Sequence, residues 1–403
     1  MKPTLAPAGR NTTQPLAAEE FSLVLGGPLY QLFLKTRLAR PPLNLLHRRM
    51  VLIPALAWLP LLVLTLLEGT AIGNVTVPLL KDVEAYARFL IAIPILLVAE
   101  LVVHDRLRMI IGQFRERDIV TAASLPRFEA AIASAARLRN SMTAEIVMLV
   151  VVFVAGTWMW KHGMALKIDT WYASIADGRS EFTLAGKWFV YVSAPVFQFL
   201  LLRWYFRLWI WWRFMWQVSR LPLQLKALHP DRAGGIGFLG GSMVAFTPVL
   251  LAQSALLSGV VFSRVLTGAG TAMDFRGEIG VLIVFLAAQI VVPLLFFAPS
   301  LIDSQRSAMR RFGLLSTEYA RDFERKWLQG GAPAGEELLG SGDIQSLNDL
   351  AGSHEVVREM RPVPFSLPTF VRLLVVTAAP FLPLVLTVIP FDELVHNLAE
   401  MML

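Results

Sequence analysis

The chain has 403 residues, 55% of them hydrophobic and 17% charged, with a net charge of +7 and no cysteine. That balance is too apolar for a soluble chain, whose surface must be wetted, and the lack of cysteine excludes disulfides, thiolate metal sites and cysteine nucleophiles. The basic residues gather near the ends of apolar runs instead of forming one patch with interleaved aromatics, so anionic headgroups of membrane lipids on the cytoplasmic side are the expected partner and nucleic acid is not.

Residues 1–19 are rich in Pro, Thr and Ala and read as a disordered leader. Residues 28–40 follow as a short helix with Leu29, Leu32 and Phe33 on one face and Lys35 and Arg37 off it, a pattern suited to the inner membrane surface. Seven apolar stretches then succeed one another, at 50–67, 86–103, 145–160, 187–207, 242–262, 279–302 and 371–389. Each approaches the roughly 20 residues that a helix needs to cross a hydrocarbon core about 30 Å thick. The first lies behind a mixed polar and basic leader, as an uncleaved signal anchor would. With the N-terminus inside, 29 of the 37 Lys and Arg residues face the cytoplasm and eight face out, and the opposite orientation would reverse the insertion bias. The expected fold class is therefore all-α: a polytopic membrane protein with about seven transmembrane helices, N-terminus in and C-terminus out.

The predicted organisation is a leader with its interfacial helix at 1–47, a six-span body at 48–302, a cytoplasmic helical insertion at 303–370, and a last span with an outer amphipathic helix at 371–403. The second and third spans are joined by a helical cytoplasmic stretch, 104–141, in which Pro126 opens a helix over 127–139. The insertion should hold a charged helix over 304–327, a Gly, Pro and Ala hinge at 329–335, and a second helix from Asp343. Nine prolines interrupt six of the seven spans, a weak sign of a substrate site because such breaks occur in membrane helices of every function.

Trp204, Trp209, Trp211, Trp212 and Trp216 fall within one arc of the fourth helix, flanked by Arg203 and Arg207 on one edge and Arg213 and Arg220 on the other. Either this helix bends into the headgroup layer there, or it continues inward and buries the Trp face against other cytoplasmic helices. Gln198, Gln253 and Gln289 sit near the middle of spans four, five and six, with Ser254 and Ser258 adding hydroxyls to the fifth. An amide facing lipid at mid-bilayer is costly, so these side chains should face protein or water, as interhelical hydrogen-bond glue or as the lining of a polar path. Glu100 is the only acid clearly inside a span; it either reaches the headgroups, pairs with an arginine such as Arg106, or couples a proton to transport.

Before the fifth span lies His229-Pro230-Asp231-Arg232-Ala233-Gly234-Gly235-Ile236-Gly237. Its free backbone amides, with Arg232 and a protonatable His229, describe an anion site for a phosphate or lipid headgroup at the start of a helix. The plainer reading is a tight connector in which Asp231 and Arg232 pair and Gly234 and Gly235 allow a sharp turn. A metal site from His229, Asp231, His104 and Asp105 requires chance convergence, and no metal or cofactor is expected.

The His229 to Gly235 string, together with Phe21-Ser22-Leu23-Val24-Leu25-Gly26-Gly27-Pro28-Leu29, Phe114-Arg115-Glu116-Arg117-Asp118 and Arg358-Glu359-Met360-Arg361-Pro362-Val363-Pro364-Phe365, resembles a family of uncharacterised bacterial multi-pass inner-membrane proteins. The resemblance implies a bacterial inner membrane and carries over no catalytic or binding residue. Three functions stand open on the residues. One is a channel or transporter with Gln198, Gln253, Gln289, Ser254 and Glu100 along its path, within one subunit or on the axis of a homo-oligomer. Another is a membrane sensor or scaffold binding a cytoplasmic partner. The third is a headgroup-modifying enzyme using His229, Asp231 and Arg232, against which stands the absence of paired mid-depth carboxylates and of Gly-x-Ser-x-Gly or His-Glu-x-x-His strings.

Overall fold

A computed structural model describes residues 21–385 apart from 39, 41–42, 164–168, 177–178 and 269. The expected outer helix at 391–403 and the leader before Phe21 lie outside the described residues. Helices dominate: α1 (Pro28–Lys35), α2 (Leu46–Leu67), α3 (Val83–Glu116), α4 (Leu125–Arg139), α5 (Met142–Gly163), α6 (Leu184–Ser219), α7 (Gly237–Leu266), α8 (Arg276–Leu295), α9 (Ala298–Phe323), α10 (Asp343–Arg358) and α11 (Leu367–Leu384). Six of them, α2, α3, α6, α7, α8 and α11, are long and apolar enough to cross a membrane, the architecture of a multi-pass membrane protein. The third expected span falls on α5, a 22-residue helix apolar through Val154. The all-helical reading needs one amendment. β1 (Ala173–Ala176) and β2 (Arg179–Phe182) form an antiparallel hairpin, Ala173 opposite Phe182, between α5 and α6.

The apolar helices present side chains outward, as lipid requires: Val51, Leu52 and Leu56 on α2, Ile146 and Val150 on α5, and Val281 and Val284 on α8 are all exposed. At the centre is α7, whose Ala245, Phe246, Val249, Leu250 and Ala252 are buried and which packs along α3. Gly259 makes that crossing close, since a Cβ there would lie 2.5 Å from Ala87 Cβ. α3 and α6 each contain a widened π turn, Ala87–Ala92 and Phe189–Ser193, immediately before Pro94 and Pro195. A proline offers no N–H to the preceding turn, and the wide turn absorbs the mismatch. The two π turns face each other, with the Phe89 and Phe189 rings edge-to-face at 6.1 Å.

Two boundaries differ from expectation. The sixth apolar run, 279–302, is two helices: α8 ends at Leu295, and Pro299 sits in the first turn of α9, where a missing N–H goes unnoticed. The fourth helix neither stops nor bends at Arg207 but runs on to Ser219, where its last turns pack on α4. The expected Trp face is therefore divided. Trp204 and Trp211 are buried, while Trp209 and Trp216 remain about half exposed. α9 and α10 form a hairpin away from the apolar helices, closed where Trp327 Nε1 donates to Asp343 Oδ2 at 2.9 Å.

Candidate functional site

The densest chemistry in the bundle is a charged cluster around Glu100. This residue lies 17 positions into α3, about 25 Å from the Val83 end, at the level where α2 and α5 begin. Arg49, in the first turn of α2, donates from Nη1 to Glu100 Oε2 at 2.6 Å. Arg207 on α6 donates from Nη2 to Oε1 at 2.9 Å, and Arg203, one turn earlier, reaches the same oxygen at 3.5 Å. Arg203 Nε also pairs with Glu145 Oε1 of α5 at 3.3 Å. All five side chains are buried, and Arg49 is fully enclosed with its guanidinium against the Phe33 ring. Three arginines against two glutamates leave a surplus cation, and Arg49 Nε and Nη2 are buried with no hydrogen-bond partner. Arg106, the partner expected for Glu100, is exposed and takes no part.

The chain ahead of α1 is sewn into this cluster. Gly26 O accepts from Arg203 Nη2 at 3.3 Å, Leu29 N donates to Glu145 Oε2 at 2.8 Å, and Gly27 N donates to Asn140 Oδ1 at 3.1 Å. Ser22 completes it, meeting His104 Nδ1 at 3.0 Å through its hydroxyl and Arg139 Nη1 at 2.7 Å through its carbonyl. The backbone must come so close that only glycine fits. Gly26 has φ +142°, and a Cβ there would sit 2.2 Å from Asn140 Oδ1.

The three glutamines part company. Gln253 and Gln289 bond one another, Gln289 Nε2 donating to Gln253 Oε1 at 3.0 Å and Gln253 Nε2 to Gln289 Oε1 at 3.4 Å. Tyr205 Oη adds a third bond to Gln253 Oε1 at 3.0 Å. Gln198 points instead toward Gly156 of α5. Ser254 is fully buried with its hydroxyl unpartnered, and Ser258 donates to Pro380 O at 2.6 Å.

In the loop before α7, Asp231 uses the amides that an outside anion would need. Oδ1 accepts from Ala233 N at 2.9 Å and Gly235 N at 3.1 Å, and Oδ2 from Gly237 N at 2.9 Å. Burial alone would raise the Asp231 carboxyl, but these amides and the neighbouring His229, 2.9 Å away, hold it below the usual carboxylate range. Gly234 and Gly235 supply the positive φ, 65° and 93°, that the turn requires. Asp231 does not pair with Arg232. Arg232 pairs with Glu359 at 2.8 Å, and Arg361 Nη2 donates to the Asp231 carbonyl at 2.6 Å, so the segments at 229–237 and 358–365 meet. A cavity of about 590 Å³ opens beside them, bordered by Arg232, Arg361, Gly240, Gly241, Ser366 and Thr369.

Arg49 and Glu145 escape the sequence reading, and Arg203 and Arg207 enter it only as the edge of the Trp face, not as partners of Glu100. Arg203 and Arg207 sit four residues apart within an apolar helix and Glu145 opens the third apolar run, the one local signal of a buried cluster. Among the described residues no group of three or more His, Cys, Asp or Glu is placed to hold a metal ion, and His104 and His229 belong to separate neighbourhoods. No family model, curated protein or solved structure matches this chain.

Proposed function

We propose that the chain is a channel or carrier for an anionic solute, threaded seven times through a bacterial inner membrane with its N-terminus inside and its C-terminus outside. The observation that carries the reading is the cationic surplus of the Glu100 cluster. Arginines are rare within membrane helices, and where they outnumber their carboxylates they mark a place where an anion is stabilised. With the N-terminus inside, as the basic connections favour, the cluster lies at inner-leaflet depth, on the side from which a cytoplasmic solute would come. The Gln253–Gln289 pair lies further toward the outer side, where a passing anion would exchange the amides' mutual bonds for its own.

The test is anion efflux from liposomes holding the purified protein, with chloride and phosphate as probes. Efflux that rises over protein-free liposomes and falls at least tenfold in Arg207→Gln supports the proposal. Absence of flux for both anions, or flux unchanged in Arg207→Gln and Gln253→Leu, removes it.

One observation favours a second reading, a scaffold for a cytoplasmic partner. The α9–α10 hairpin leaves Leu314, Leu328, Leu339 and Ile344 uncovered, at 74%, 73%, 90% and 50% exposure, outside the apolar helices. Deleting 330–353 and comparing the proteins retained on the purified chain tests it; an unchanged set counts against the scaffold. The enzyme reading gains nothing, since Asp231 is spent on the loop amides.

A further inference from the structure

A second cavity, about 750 Å³, lies between α1 and the α4–α5 turn, bordered by Gly26, Gly27, Tyr30, Lys35, Arg139 and Asn140. Its two cations have no carboxylate of their own among the described residues. Arg139 bonds only neutral oxygens among the described residues, Ser22 O at 2.7 Å and Asn140 Oδ1 at 3.1 Å, and Glu145, which opens α5, is committed to Arg203 and Leu29 N. Burial, and then the charge of Arg207 behind it, lower the Arg139 guanidinium to about 10, which marks a site where a further negative charge would be stabilised. The cavity is also amphipathic. Leu32 and Met142 on its border are 52% and 65% exposed, and from Met142 an apolar stripe continues along α5 through Ile146, Leu149, Val150 and Phe153 at helical spacing. Arg139 precedes the first turn of α5, so the cations lie at headgroup level and the stripe descends into hydrocarbon.

We propose that this cavity binds the phosphate of an anionic phospholipid between Arg139 and Lys35, with one acyl chain along the α5 stripe. The continuous stripe selects a lipid over a soluble phosphate, which would need only the cations. The site stands independently of the transport reading, because it draws on Arg139 and Lys35 and on none of the residues that pair with Glu100.

The test uses the full chain in detergent, scoring phosphatidylglycerol and phosphatidylcholine retained by native mass spectrometry. The wild type should hold phosphatidylglycerol in preference to phosphatidylcholine. Lys35→Gln should weaken that preference about fivefold, the effect of one cation near an anionic lipid surface, and Lys35→Glu more. Lys35 is exposed, so neither change threatens folding; Arg139→Gln, which also frees Ser22, is the supplementary variant. Equal retention of the two lipids by the wild type, or an unchanged preference in Lys35→Glu, overturns the proposal. So does displacement of phosphatidylglycerol by an equal concentration of inorganic phosphate, which would assign the cavity to a soluble anion.

Discussion

Removing one side of the Glu100 cluster should be far worse than removing the other. Glu100 is the hub, with three arginine partners at 2.6, 2.9 and 3.5 Å, whereas among the described residues Arg49 has Glu100 as its one hydrogen-bond partner. Glu100→Gln raises the surplus among the five buried groups from one positive charge to two and strips Arg49 of its counter-ion, a change of the kind that costs about 3–5 kcal/mol. Arg49→Met instead balances the charge, removes two buried unpartnered nitrogens, and leaves Glu100 paired with Arg203 and Arg207. Replacing a buried ion by an apolar side chain of similar size is often close to neutral, so a loss of about 1 kcal/mol or less is expected. Combining the two should recover much of the Glu100→Gln loss, since the cation that this change leaves buried without a counter-ion is gone. Reversible unfolding of the purified protein in mixed micelles, followed by tryptophan fluorescence, measures all three. If Arg49→Met proves as damaging as Glu100→Gln, or the double variant is worse than the sum of the singles, the hub description is wrong.

Three further outcomes follow from the geometry. Gly259→Val forces a side chain into Ala87 and should destabilise by about 1–3 kcal/mol, whereas Gly280→Val, where a Cβ meets nothing within 4 Å, should change stability by less than about 0.5 kcal/mol in the same assay. Asp231→Asn should lose about 1–3 kcal/mol at neutral pH by weakening three charge-assisted amide bonds. Because the folded carboxyl titrates below its unfolded value of 3.8, that contribution is complete above about pH 4 and disappears as pH falls through the lower folded value, so the gap between wild type and variant should close in acid unfolding curves. Gly26→Ala drives a Cβ into Asn140 Oδ1, the acceptor for Gly27 N, and limited trypsin digestion should cut after Lys35 and Arg37 faster than in wild type, with the rest of the pattern unchanged.

Apolar run length foretells most of the helical frame, and mid-span glutamines foretell amides turned away from lipid, because both depend on one segment's contact with lipid; that Gln253 pairs with Gln289 and not with Gln198 depends on how the helices meet. The Glu100 cluster depends on four segments arriving at one level. Arg49, Glu100, Glu145 and Arg203 are separated by tens of residues, and no periodicity connects them. Arg203 and Arg207 read from the sequence as the edge of a Trp face, because the apolar run looks complete by Arg207; that they turn to Glu100 follows only once α6 packs beside α3. The loop at His229 was legible as a turn from its glycines, but the choice between Arg232 and the backbone as partner for Asp231 depended on Glu359, over a hundred residues away, drawing Arg232 off.

The sewn segment at 22–29 also constrains the order of assembly during synthesis. It leaves the ribosome before any of its anchors exist, and Arg203, which grips Gly26, is translated 177 residues later, after α2, α3 and α5 have all been made. A piece made early is thus among the last to be seated. Until α6 arrives, Glu100 has Arg49 alone and Glu145 has no arginine, and a nascent chain truncated before residue 203 should leave residues 22–29 open to a protease that the finished protein resists there.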